Sequence, residues 1–153
     1  MKHLFVTAGL VIFLDQLSKI WVVAKIPLFG VVEVIPGFFN LVHVRNTGAA
    51  FSILAGTPSV WRQLFFIVVT LGVVFLILMA YRKVAARDLW SKSAYALIIG
   101  GALGNLIDRI RLGAVVDFLD VYWKNYHWPA FNVADAAITT GAVMLIISLF
   151  RGR

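Results

Sequence analysis

A run of 19 residues without one charged side chain, residues 63–81, constrains the fold more than any other feature. A helix needs about 20 predominantly apolar residues to cross a bilayer, and this run meets that requirement. The whole chain agrees, since 61% of its 153 residues are hydrophobic and only 14% are charged. Soluble domains carry about 45–50% apolar and about 25% charged residues. A soluble globular domain and a disordered chain are therefore both excluded.

Three further apolar runs predict an all-α polytopic membrane protein with four transmembrane helices. These runs cover residues 4–24, 93–110 and 134–150. The first run does not read as a cleaved signal peptide, because no small-residue cleavage site follows it and Asp15 and Lys19 interrupt its apolar core. We expect a retained helix there, and a single membrane domain over residues 1–153.

The basic residues predict the orientation of these spans. The net charge of +7 comes from 14 Lys and Arg against 7 Asp and Glu. Basic residues crowd the N-terminus, the short segment between the second and third spans, and the C-terminus: Lys2, Arg82, Lys83, Arg87, Lys92, Arg151 and Arg153. Because basic loops stay cytoplasmic, we expect both termini inside and two long loops, 25–62 and 111–133, outside. The chain has no basic stripe with interleaved aromatic residues, which is the pattern that would indicate nucleic-acid binding.

The two outer loops are predicted to be ordered. Residues 31–54 alternate apolar and polar side chains in places and contain the turn pair Pro36-Gly37, which predicts one or two short strands. The second loop is rich in the aromatic residues typical of a membrane–water interface, Tyr122, Trp123, Tyr126 and Trp128.

Several catalytic chemistries lack the residues that they require. The chain has no cysteine, which excludes thiol nucleophiles and thiolate metal sites. Its three histidines, His3, His43 and His127, have no metal-binding spacing and are expected at the surface or interface. No nucleophile elbow, P-loop or dinucleotide fingerprint is present. We expect neither a metal nor a cofactor.

Charged residues inside the predicted spans are functional candidates, because a charge at the bilayer centre costs about 2.5–3.5 kcal/mol on insertion scales. Asp15 and Lys19 are four residues apart, so they share one helix face and can pair. Two interpretations are open for them. The pair either locks the first helix into the bundle or contacts a substrate.

The third span combines small residues with a polar end. Gly100 and Gly104 form a small-xxx-small face that allows another helix to approach closely. Asn105, Asp108 and Arg109 follow on one face of the same helix. Arg109 is expected either to reach outward to the interface or to bind a carboxylate or a lipid phosphate.

Asp117 and Asp135 are the candidates for acid–base catalysis. Asp117 follows the third span, Asp135 begins the fourth, and Asn132 precedes Asp135 by three residues, which predicts a shared helix face. Two carboxylates within hydrogen-bond reach share one proton, so one serves as general base while the other donates to a carbonyl oxygen. The alternative is a pair of helix-end acids that face water.

A carboxyl pair of this kind is typical of an aspartic peptidase, and two other classes of protein are alternatives to it. A proton-coupled transporter would use Asp15, Asp108 and Asp135 as a relay through the membrane. A structural or assembly subunit would give the acids no catalytic role.

Five motifs, read in order, resemble those of one known family. They are DQLSK (15–19), RNTGAAFS (45–52), GGALGNLIDRI (100–110), VVDFLD (115–120) and FNVADAA (131–137). Together they resemble the bacterial lipoprotein signal peptidase family, signal peptidase II, from the first predicted helix to the fourth. The resemblance implies four transmembrane helices with a small β-cradle on the outer, periplasmic face and a short mobile helix after Asn46.

The resemblance also implies a function. The chain would be an intramembrane aspartic endopeptidase of the bacterial inner membrane, cutting diacylglyceryl-modified prolipoproteins just before the lipidated cysteine. Its partners would be the prolipoprotein and membrane lipids, and it would act as a monomer without a cofactor. The catalytic pair would be Asp117 and Asp135. Substrate-binding or supporting residues would be Asn46, Gly101, Asn105, Arg109, Asn132 and Ala136, with Asp15 and Lys19 structural or supporting.

Overall fold

Four helices and a small antiparallel sheet make up the computed structural model, which describes residues 1–48 and 59–150. The helices are α1 (Lys2–Lys25), α2 (Val60–Lys83), α3 (Leu89–Leu112) and α4 (Val133–Phe150). The strands are β1 (Val31–Ile35), β2 (Phe39–Asn46), β3 (Val115–Trp123) and β4 (Tyr126–His127), in the spatial order β1-β2-β3-β4. Each of the four predicted apolar runs lies within one helix.

Within the described ranges, three helices are long and apolar enough to cross a membrane: α1, α2 and α4. They carry large apolar side chains on their outer surfaces. On α2, for example, these exposed side chains include Phe65, Val68, Leu71, Phe75 and Leu76. Such a surface is stable in lipid and not in water. The chain is therefore a membrane protein.

Helix α3 is less apolar than the other three because it lies among them. It packs against α1, α2 and α4, so most of its middle is shielded from lipid. Its glycines make these contacts close. A Cβ atom added to Gly100 would lie 2.9 Å from the Cα of Ala8 on α1, and one added to Gly101 would overlap the carbonyl oxygen of Ala134 on α4. The predicted close-packing face of Gly100 and Gly104 is present and lies against α1, since a Cβ atom added to Gly104 would lie 2.8 Å from Asp15 Oδ2. Gly101 adds the close contact with α4.

The sheet extends further than the sequence predicted. The expected strands within residues 31–54 are β1 and β2, which form an antiparallel pair around the turn at Gly37. Residues 115–123 were expected to be loop, yet they form β3, which pairs antiparallel with β2 and places Asp117 opposite Val44. The sequence VVDFLDVYW is rich in the β-branched and aromatic residues that favour a strand.

The expectation of a surface or interface position was wrong for His43, which lies buried inside the protein. This side chain is 3% exposed, and its Nδ1 donates to the carbonyl oxygen of Ile26 at 2.8 Å. The bond ties β2 to the residue that follows α1 and so fixes the sheet against the helices.

Candidate active site

Asp117 and Asp135 come from different elements and line one cavity of about 670 Å³. Asp117 lies near the start of β3 and is 3% exposed, while Asp135 lies in the first turn of α4. The alternative of two helix-end acids facing water is wrong for Asp117, which is a buried strand residue.

Asn132 connects the two acids. Its Nδ2 donates to Asp117 Oδ1 at 2.7 Å and to the Val116 carbonyl oxygen at 3.2 Å. Its Oδ1 accepts from the backbone N–H of Asp135 at 2.9 Å, and its own N–H donates to Asp135 Oδ2 at 3.3 Å. These last two bonds form a reciprocal capping box at the start of α4. Asn132 therefore precedes the helix as its cap, which corrects the prediction of a shared helix face.

A second amide holds Asp135 from the side of α3. Asn105 Nδ2 donates to Asp135 Oδ1 at 2.7 Å, and Asn105 Oδ1 accepts from Asn132 Nδ2 at 3.3 Å. Each acid thus receives a short hydrogen bond from an asparagine amide. The two amides are in turn linked to each other, so the pair of acids is held as one connected unit.

The environment of Asp117 favours its protonated form. Burial and the charge of Asp135 raise the pKa of Asp117 to about 7, against the opposing effects of hydrogen bonds from Asn46 and Asn132 and of the positive charge of Lys19. A carboxyl group with this pKa holds a proton for part of the time at neutral pH. Such a group can both hold and release a proton near neutral pH, which is the property that acid–base catalysis requires.

The remaining predicted site residues take different positions. Asn46, at the end of β2, and Ala136, on α4, both line the cavity. Gly101 is not among its lining residues, and instead packs α3 against α4. Residues 49–52 of the second motif and the helix expected after Asn46 lie outside the described residues.

Arg109 lies in the cavity wall near the C-terminal end of α3. Its guanidinium donates to the carbonyl oxygen of Gly48 at 3.0 Å and lies 5.1 Å from the centre of the Phe66 ring. The sequence predicted that Arg109 would reach outward or bind a carboxylate or a lipid phosphate. The bond to Gly48 is of neither kind, since its acceptor is a backbone carbonyl oxygen. It connects α3 to the backbone two residues after the end of β2.

Asp15 and Lys19 form the predicted ion pair, with 2.8 Å between Lys19 Nζ and Asp15 Oδ2. Sequence reasoning missed two of their partners. Lys19 Nζ is also 2.9 Å from Asp108 Oδ2, and Gln16 Nε2 donates to both carboxylates. The available signal was the position of Gln16 between two charges in an apolar run, and that of Asp108 one turn after Gly104.

Comparison with known proteins identifies the family. The sequence profile described as signal peptidase (SPase) II matches residues 7–151. The chain is 49% identical to a lipoprotein signal peptidase of Syntrophus aciditrophicus (strain SB), over 95% of this chain and 91% of that protein. It is 52% identical to a lipoprotein signal peptidase of Aeromonas hydrophila subsp. hydrophila, over 94% and 86% of the two chains.

Solved structures agree with the sequence comparisons. Two structures, each described as a bacterial membrane enzyme determined by the in meso method, superpose on this fold. The first gives a TM-score of 0.87 at 33% identity over 99% of this chain and 89% of the other. The second gives 0.84 at 34% identity, over 97% and 93%. The chain belongs to the signal peptidase II family of peptidases.

Proposed function

We propose that this chain is an intramembrane aspartic endopeptidase that removes signal peptides from diacylglyceryl-modified prolipoproteins, with Asp117 and Asp135 as its catalytic pair. The observation that carries the proposal is the meeting of two aspartates from β3 and α4 at one cavity, joined through Asn132. Family membership supports the peptidase chemistry, and the names of the relatives support a lipoprotein precursor as substrate.

The proposed reaction uses one proton held by the pair of carboxyl groups. The ionised carboxylate takes a proton from a water molecule, whose oxygen attacks the carbonyl carbon before the lipidated cysteine. The protonated carboxyl donates to the carbonyl oxygen, which gives a neutral tetrahedral diol. This diol collapses when the carboxyl group that took the water proton gives it to the cysteine nitrogen and the C–N bond breaks. The other carboxylate takes a proton from a hydroxyl group of the diol, so the new carboxyl end of the signal peptide leaves and the pair again holds one proton.

The cavity suits a substrate that arrives within the membrane plane. Apolar side chains from α2 and α4, including Val69, Val73 and Ile138, form part of its wall, while the two acids and Arg109 make another part polar. The apolar wall would accept the signal helix or acyl chains. Asn105 and Asn132 would orient the acids, Asn46, Arg109 and Ala136 would contact the substrate, and Gly101 would act by keeping α4 close to α3.

The proposed setting is the bacterial inner membrane, crossed four times by one monomeric chain. Both termini would be cytoplasmic and the sheet would lie on the outer face. Two observations support this arrangement. The basic residues Arg82, Lys83 and Arg87 lie around the α2–α3 connection, and the exposed aromatic residues Trp123, Tyr126 and Trp128 lie at the opposite end, on or next to the sheet.

The deciding experiment is cleavage by the purified protein in lipid of a diacylglyceryl-modified prolipoprotein and of the same precursor without the lipid. We expect cleavage of the modified precursor alone. Asp117→Asn and Asp135→Asn are each expected to abolish it without loss of folded protein. The matched control is Asp120→Asn, because Asp120 lies on the same strand but outside the cavity lining. Retained cleavage in either variant of the pair would overturn the proposal.

A further inference from the structure

A buried polar cluster lies behind the catalytic pair, between α1 and α3. It consists of Asp15, Gln16, Lys19 and Asp108, and we call it the Lys19 cluster. The three charged members are no more than 3% exposed. Lys19 Nζ contacts both carboxylates, at 2.8 and 2.9 Å, and Gln16 Nε2 donates to the same two carboxylates at 3.2 and 3.0 Å. Asp15 and Asp108 therefore share the same two side-chain partners, Lys19 and Gln16.

Each carboxylate of the cluster also accepts a backbone N–H that lies next to a catalytic aspartate. Asp15 Oδ1 accepts from Ala134, the residue before Asp135, at 2.9 Å. Asp108 Oδ2 accepts from Val116, the residue before Asp117, at 3.1 Å. Because consecutive Cα atoms are fixed about 3.8 Å apart, holding one peptide group restricts the neighbouring aspartate.

Lys19 reaches Asp135 by a third route, through Asn105. Lys19 Nζ donates to Asn105 Oδ1 at 3.0 Å. An ammonium group offers only donors, so the oxygen of Asn105 must face Lys19 and its NH₂ group must face the other way. That NH₂ group donates to Asp135 Oδ1. Lys19 thus selects the amide orientation in which Asn105 donates to the carboxylate.

We propose that Lys19 is a positioning residue that fixes the relative placement of Asp117 and Asp135 by joining the two backbone segments that carry them. The inference rests on the proposed roles of those two aspartates. Lys19 contacts neither of them directly. Its three donors go to Asp15, Asp108 and Asn105, and each of these contacts a different part of the catalytic pair or its backbone.

A purely structural ion pair would have a different signature. Such a pair would join α1 to α3 and affect stability, and its loss would leave the geometry of the remaining folded molecules unchanged. A positioning role predicts a loss of turnover in protein that is still folded and still binds substrate. It also predicts that β3 and the start of α4 loosen together, although the ammonium of Lys19 bonds to Asp15, Asp108 and Asn105 and not to the backbone of either segment.

The first test is Lys19→Met in the full-length protein, with hydrogen exchange at the backbone amides of Val116 and Ala134 as the readout. We expect faster exchange at both amides. Lys25→Met is the matched control, because it makes the same change on the same helix at an exposed position. Exchange needs no substrate, so this result is independent of whether the proposed function is correct. Unchanged exchange at either amide would overturn the inference.

The second test is kinetic. A misplacement of about 1 Å in a catalytic group costs about 100-fold in rate, so we expect kcat to fall by about that factor while KM changes less than about twofold. Lys25→Met should keep the kcat of the original protein. A wild-type kcat in folded Lys19→Met, or a loss confined to KM, would contradict the positioning role.

A further variant keeps the inference testable if Lys19→Met fails to fold. Loss of the ammonium leaves two buried carboxylates without their cation, which is strongly destabilising. The triple variant Asp15→Asn, Lys19→Met, Asp108→Asn removes all three charges and keeps an oxygen acceptor for each backbone N–H. We expect this variant to fold and to show the same loss of kcat. Full turnover by the triple variant would refute the proposal.

Discussion

At the scale of single residues, two aspartates on one strand have different partners and different chemistry. Asp117 lines the cavity and accepts from Asn132. Three residues along β3, Asp120 accepts from Asn40 Nδ2 at 2.9 Å and lies 2.9 Å from His127 Nδ1. Side chains alternate along a strand, so positions three apart point to opposite faces. Position in the pleat therefore separates a catalytic candidate from a structural acid of the same type.

The pKa of Asp117 predicts a loss of activity on the alkaline side. Burial and the charge of Asp135 raise this pKa to about 7, so the pair loses its last proton as the pH rises through that value. A pair without a proton has no acid to donate to the carbonyl oxygen. We expect kcat to fall above about pH 7, measured with a lipidated precursor from pH 5 to 9. Because the pair titrates as a unit, the midpoint describes the pair.

The control for this profile is Asp120→Asn, which should keep the same alkaline midpoint. A kcat that is flat between pH 6 and 9 would contradict the raised pKa of Asp117.

Asp117 is also expected to limit the stability of the fold at neutral and alkaline pH. Its pKa in the folded state lies above its ordinary value of 3.8, so folding favours the protonated form. The resulting stabilisation is fully present below pH 3.8 and is lost as the pH rises through about 7. Asp117→Asn removes the ionisation and keeps the shape. We expect the variant to have a higher Tm than the original protein at pH 8 and a similar Tm at pH 4.

Thermal unfolding in detergent at both pH values checks this expectation. An equal change in Tm at pH 4 and pH 8 would show that ionisation of Asp117 is not the cause.

At the scale of elements, the glycines of α3 set how closely α1 and α4 approach the helix that borders the candidate site. Gly101 has no room for a side chain, because its added Cβ would overlap the Ala134 carbonyl oxygen and lie 2.8 Å from Ile138 Cγ1. Ala134 immediately precedes Asp135. The contact that brings α4 against α3 is therefore one residue away from a catalytic candidate.

Gly101→Ala is expected to reduce both stability and turnover. The obstructing atom is backbone, so α4 must shift, and overpacking of this kind costs about 1–3 kcal/mol. The shift would move Asp135 relative to Asp117, and we expect kcat to fall at least about tenfold. Gly72→Ala on α2 is the matched control, since an added Cβ there meets nothing within 4 Å. Tm and kcat measured together test the prediction, which fails if the two variants behave alike.

The element scale also shows what sequence periodicity predicted and what it did not. Apolar runs indicated the helices because a lipid-facing helix needs apolar residues around most of its surface. The pattern does not predict β3, because a buried strand such as VVDFLDVYW lacks the strict apolar–polar alternation of a half-buried strand. The spacing of three residues between Asn132 and Asp135 does not separate a shared helix face from a helix cap, because both arrangements use it.

At the scale of the whole molecule, the candidate site was recognisable from motifs, whereas its connections were not. Five motifs identified Asp117 and Asp135 through a family resemblance, and the structure brings both to one cavity. The contact between Lys19 and Asp108 joins residues 89 positions apart. Nothing in local spacing specifies such a pair, because it depends on how α1 and α3 pack. The sequence therefore indicated the catalytic candidates, and the helix packing revealed what holds them.

The orientation of the molecule in the membrane gives a prediction that uses its lack of cysteine. A single cysteine can be introduced at Ala86, between α2 and α3, or at Asn125, between β3 and β4, and both positions are exposed. With an impermeant maleimide on intact spheroplasts, we expect Asn125→Cys to react at once. Ala86→Cys should react only after permeabilisation.

This pair of sites also decides the number of crossings. Only α3 lies between Ala86 and the sheet residues that follow it, so opposite accessibility requires α3 to cross the membrane despite its charges and glycines. Helix α3 can do so because α1, α2 and α4 cover its polar face. Labelling of both cysteines from the same side would place α3 outside the set of spanning helices and would overturn the four-crossing topology. Labelling of Ala86→Cys alone from outside would show that the four-crossing topology has the opposite orientation.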